Sequence, residues 1–142
     1  MRLMIESYSI DLLKALSIKA FPKIELALDQ AMRLNIPPHD SSPKITIENI
    51  RAILLFHKNL VESTGNELLY SIYKSISYTL ARYQFIYFHL TDTVDNSLRD
   101  HKRILGFLTD GKYDEAKDKL KRHIKYTMGL VRNAISNHLL FY

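Results

Sequence analysis

The sequence contains no cysteine, which removes disulfides, thiolate metal sites and cysteine nucleophiles together. Glycine and proline are scarce as well, four of each in 142 residues, so little interrupts regular structure between them. No apolar run approaches the roughly 20 residues needed to span a bilayer. The opening Met1-Arg2-Leu3-Met4-Ile5-Glu6 lacks the unbroken apolar stretch and small-residue cleavage site of a secretory signal. Also missing are a glycine-rich phosphate loop, a Gly-x-Ser-x-Gly elbow and a His-Glu-x-x-His zinc motif. These absences lead to the expectation of a cytoplasmic protein that is not an enzyme.

What is present is helical. An apolar fraction of 46% and a charged fraction of 25% over 142 residues suit one soluble domain with its own core. The formal charge of +5 leaves acidic partners open, but part of the excess is local. From Lys112 onward there are seven Lys/Arg against three Asp/Glu, mostly on one terminal helix. That run reads as a solvated face, because no nucleic-acid-binding motif accompanies it.

The apolar period predicts a first helix over residues 5–20, with Ile5, Leu12, Leu13, Leu16 and Ala20 near one face. A second starts at Pro22, whose missing N–H costs nothing in a first turn, and runs to about Leu34. The segment 35–43, with prolines at 37, 38 and 43, is the one clear loop. A third helix starts near Thr46 or Ile47, with Thr46 suited to cap it. It stops at Ser63-Thr64-Gly65-Asn66, where Gly65 suits the left-handed position and Asn66 suits capping the next helix. The fourth, over 67–90, is apolar or aromatic nearly all round, which implies a central helix or one shared with a partner subunit, hence a homodimer. A fifth over 93–109 and a sixth over 113–138 flank Asp110-Gly111. No stretch alternates as a strand would, so the fold class is all-α, an antiparallel bundle of six to seven helices.

Three histidines fall on apolar stripes of three different helices: His57, His101 and His123. Asp110-Gly111 lies nearly midway between the last two. Each is therefore roughly 15–18 Å up its own helix, and in an antiparallel hairpin the two are level. Imidazoles at one height on facing helices can share an ion. Two readings stand side by side here: a metal-binding pocket, and core histidines that hydrogen-bond locally. His39, His89 and His138 read as surface residues.

The segments Phe56-His57-x-x-Leu60-x-x-Ser63-Thr64-Gly65-Asn66, Asp100-His101-x-x-Ile104-Leu105, Asp110-Gly111-x-x-x-x-Ala116 and His123-Ile124 occur in that order. Together they resemble the C-terminal FCD domain of GntR-family transcriptional regulators, the FadR-like branch, over nearly the whole chain. The resemblance implies a helical, dimerising domain that senses a small carboxylate effector and controls a winged-helix DNA-binding domain. Many members hold zinc or nickel through one aspartate and three histidines. The histidines carry over to His57, His101 and His123, whereas the aspartate position is Ile53, leaving a neutral three-histidine site. Asn66 and Arg82 are candidate effector contacts from their helix positions. The whole chain, 1–142, reads as one such domain with no winged-helix segment, so DNA is expected to be contacted only through a domain this chain lacks. The competing functions are a small metal-dependent hydrolase, since a three-histidine site can activate water, and a plain helical interaction module.

Overall fold

The local rules of helix capping and burial place six helices in the computed structural model, which describes residues 1–34, 47–91 and 94–139. The side chains at 47–49, 83–91, 94, 95, 134, 138 and 139 lie outside that description. The helices are α1 (Arg2–Ala15), α2 (Pro22–Leu34), α3 (Ile47–Glu62), α4 (Glu67–Thr91), α5 (Val94–Thr109) and α6 (Tyr113–Leu139), with no strand among the described residues. The all-α expectation holds. Thr46, proposed as a cap, and His39, His89 and His138 fall outside the described residues or side chains.

The first helix ends five residues before the apolar period suggests. Ser17 turns left-handed at φ 55°, and Ile18 N–H then donates to the Leu13 carbonyl at 3.0 Å. This closure satisfies the last carbonyls of the helix and redirects the chain. Tyr113 Oη donates to the Ile18 carbonyl, and Phe21 enters the core. Leu16, expected inside, is consequently 58% exposed. The face of α1 that goes inward is Arg2, Ile5, Glu6, Ser9, Ile10 and Leu13, a mixed polar stripe that the apolar count overlooks.

The remaining junctions follow their sequence chemistry. Gly65 adopts φ 70°, and the Asn66 Oδ1 accepts the Leu69 N–H at 2.9 Å to cap α4. Gly111 adopts φ 71° between α5 and α6, with the Lys19 side chain where a Cβ would point. A main core of Leu13, Phe21, Ile24, Phe56, Ile104 and Leu120, with their neighbours, joins α1, α2, α3, α5 and α6. A smaller cluster of Ile5, Val61 and Tyr73 seats α4 against α1 and α3. Of the aromatic residues on α4 whose side chains are described, Tyr73 is buried while Tyr78 is 84% exposed. The helix therefore presents an apolar outer side rather than a uniformly buried one.

Candidate metal centre

α3, α5 and α6 each contribute one histidine to the middle of the bundle. His57, His101 and His123 are 2%, 1% and 5% exposed, and one nitrogen from each lies within 4.8 Å of the others. Each sits where its helical period sends it: His57 between Ile53 and Leu60, His101 between Leu98 and Ile104, His123 beside Leu120 and Ile124. Phe56 stacks flat on the His101 ring at 4.2 Å and fixes its plane.

The hydrogen bonds assign the tautomers. Asp100 Oδ2 lies 3.0 Å from His123 Nδ1, and an ionised carboxylate can only accept, so Nδ1 carries the proton. Glu6 Oε2 accepts likewise from His57 Nδ1 at 2.6 Å. Held at about 4, His57 is uncharged near neutral pH and keeps an unprotonated Nε2. His101 Nε2 lies 3.1 Å from His123 Nε2, so one of the two nitrogens donates to the other. That leaves His101 Nδ1 as a buried nitrogen without a partner. Carboxylates holding Nδ1–H are the arrangement that orients imidazoles toward a metal and raises their basicity.

Glu6 anchors a network that reaches the first turn of the chain. Fully buried, it accepts from Arg2 Nε at 2.8 Å and from Tyr73 Oη at 2.9 Å besides His57. Burial pushes its carboxyl up, but His57 and the Arg2 guanidinium outweigh that and hold it at about 2. Burial, with the charge of Arg2 behind it, drives His57 down to about 4. His101 is pushed well below its ordinary range, by burial first and then by the neighbouring imidazoles. Asp100 is held at about 2, chiefly by its bond to His123 and also by Lys119 at 2.8 Å. Near neutral pH, His57 and His101 are therefore uncharged and offer lone pairs, the state a metal requires.

The residues fit a divalent ion. With metal–nitrogen bonds of about 2.0–2.1 Å, tetrahedral ligands sit roughly 3.3–3.4 Å apart. The Nε2 pair at 3.1 Å is already near that spacing. All three donor nitrogens lie within 4.8 Å of one another.

Not every expected site residue joins the centre. Asn66 is exposed, and its side-chain oxygen accepts the Leu69 N–H to cap α4. Arg82 is exposed on the rim of a separate cleft of about 770 Å³ between α3 and α4. That cleft has Tyr73 in its wall and Arg51 and Lys58 beside Leu54 and Leu80. Ile53, at the position of the missing aspartate, is 2% exposed and packs in the apolar core. Sequence reasoning missed Arg2, Glu6, Tyr73 and Asp100. Glu6 had a signal, since it shares a stripe with Ile10 and Leu13 at i, i+4 and i+7.

A family model of the FCD domain matches residues 1–126. No curated protein matches the chain. Among solved structures, it is similar to the metal-free FCD domain of TM0439, a protein assigned as a transcriptional regulator. The two are 22% identical, the match covers 96% of this chain and 89% of that one, and the TM-score is 0.67. At that identity the likeness speaks for the fold.

Proposed function

The chain belongs to the FCD domain family, and we propose that it is the ligand-sensing and dimerisation domain of a GntR-type transcriptional regulator, holding zinc or nickel through His57, His101 and His123. The observation that carries this reading is the donor set itself. Three buried imidazoles converge, and two have Nδ1 held by carboxylates.

A bound ion supplies positive charge to which the carboxylate of a small organic acid is drawn. The chain's own residues do the rest. Glu6 and Asp100 keep the His57 and His123 rings oriented, and Phe56 holds the His101 plane. Arg51, Lys58 and Arg82 give the α3–α4 cleft a cationic rim that attracts an acid from solution. Tyr73 connects that cleft to Glu6 and so to His57. A ligand that prefers one arrangement of these helices shifts the population of dimer geometries, which repositions the winged-helix domains that such regulators carry. Exposed Leu68, Ile72 and Tyr78 on α4 support a second copy as the dimer partner. The hydrolase alternative is not favoured. Both carboxylates near the centre already hold Nδ1 protons and pair with Arg2 and Lys119, so neither is placed to activate water.

Elemental analysis of protein purified without added metal tests the reading, with His101→Ala alongside. The expected result is a stoichiometric divalent ion in the wild type and its loss in the variant. An ion in excess over its dissociation constant should also raise Tm by several degrees, since 100-fold excess contributes about 2.7 kcal/mol. A metal-free wild type with no thermal response to zinc or nickel would refute it.

A further inference from the structure

A second cleft of about 600 Å³ lies between α5 and α6, on the far side of Asp100 from His123. Its walls carry Arg99, Lys102, Arg103 and Lys119, against the single carboxylate of Asp100. On α5, Arg99, Lys102 and Arg103 follow i, i+3, i+4 spacing, so three cations share one ridge and repel one another.

Several surface cations elsewhere are matched. Lys14 pairs with Asp114, Lys23 with Glu62, Lys117 with Asp11 and Arg122 with Asp118. In the cleft, Lys119 and Asp100 satisfy each other at 2.8 Å. Arg99, Lys102 and Arg103 have no carboxylate partner among the described residues. Two of them are nonetheless positioned by neutral contacts. Arg99 donates to the Asn96 side chain, and the Arg103 guanidinium lies 5.7 Å from the centre of the Phe107 ring. The Tyr126 side chain lines the opposite wall.

We propose that this cleft is a second ligand site, one that takes the phosphoryl group of a small phosphorylated or pyrophosphate-containing molecule. Guanidinium groups present two parallel N–H donors that match phosphate oxygens, and Arg99 and Arg103 are one helical turn apart. Once Asp100 and Lys119 cancel, three positive charges remain, which favours a dianion or trianion over a monocarboxylate. The cations converge in one concavity between two helices. A nucleic-acid duplex would instead need a spread of phosphate contacts along a strip. The site stands whether or not His123 holds an ion. Since Asp100 belongs to its wall and also holds the His123 proton, an occupant sits one carboxylate away from the histidine centre.

Calorimetric titration of the full chain with inorganic pyrophosphate, at constant physiological ionic strength, tests this. Wild type, Arg99→Gln, Arg103→Gln and Lys112→Gln are compared; Lys112 is exposed and lies at the α5–α6 turn, outside the cleft. We expect saturable binding with one site per chain, at least tenfold weaker in Arg99→Gln and Arg103→Gln and within twofold of wild type in Lys112→Gln. All three side chains are exposed, so thermal melts should show the variants folded. No saturable binding, or an equal loss in all three variants, overturns the proposal. Tighter binding of a random-sequence DNA duplex than of pyrophosphate overturns it in favour of a nucleic-acid surface.

Discussion

Glu6 is the residue on which the centre turns, because it joins three helices through one carboxylate. Replacing it by Gln leaves the Arg2 guanidinium buried without its counter-charge, which costs about 3–5 kcal/mol. Urea denaturation of Glu6→Gln should show a loss of that size with an unchanged slope. Acid acts on the same residues. His57 protonates at about 4 when folded and at its ordinary 6.5 when unfolded, so between those values the unfolded chain binds the extra proton. His101 is displaced in the same direction. Stability is therefore lost as pH falls from 6.5 towards 4. Glu6 and Asp100, both depressed to about 2, extend the loss below their ordinary carboxyl ranges of 4.5 and 3.8. Urea midpoints at pH 7, 5.5 and 4 should decrease in that order. The three histidines were legible because each obeys the period of its own helix. The pairings of Glu6 were not, because Tyr73 and His57 lie 67 and 51 residues away, and only packing unites them with it. The resemblance located the loss of a carboxylate at Ile53. A carboxylate from α1, that of Glu6, meets the His57 Nδ1 instead.

At the scale of the element, α1 shows what apolar periodicity cannot see. Leu12, Leu13 and Leu16 suggested a helix running to residue 20, yet the chain breaks at Ser17 so that Phe21 can enter the core. A serine at φ 55° is held in a region that costs a side-chain-bearing residue roughly 1–2 kcal/mol. Ser17→Gly should accordingly raise stability by a few tenths to about 1 kcal/mol, the residual being reduced by glycine's larger unfolded-state entropy. Calorimetric Tm measures it, and a decrease would show that the serine side chain matters more than its backbone. The junctions at Gly65-Asn66 and Asp110-Gly111 were readable because their chemistry is local. The end of α1 was not, because a long-range contact from Tyr113 to the Ile18 carbonyl helps decide it.

At the scale of the molecule, the order and number of helices followed from punctuation and period, while their mutual arrangement required the packing itself. Sequence reasoning read α4 as apolar or aromatic nearly all round. The structure separates an inner side, marked by Tyr73, from an outer one with Leu68, Ile72 and Tyr78. If that outer side seats a second copy, Leu68→Glu together with Ile72→Glu should convert a dimer to a monomer in sedimentation velocity, leaving the helical circular dichroism unchanged. An unaltered sedimentation coefficient would place the dimer contact elsewhere. These substitutions lie on exposed positions, so folding should tolerate them.

The depth of the three imidazoles also sets a clock. At 5% exposure or less, their nitrogens meet solvent only when the surrounding helices part. If the centre takes an ion as proposed, loading and emptying should proceed at the pace of that local opening and not at the pace of diffusion. The burial that keeps His57 and His101 uncharged would thereby make such a centre slow to release an occupant. A sensor built this way averages its surroundings over time instead of following each fluctuation.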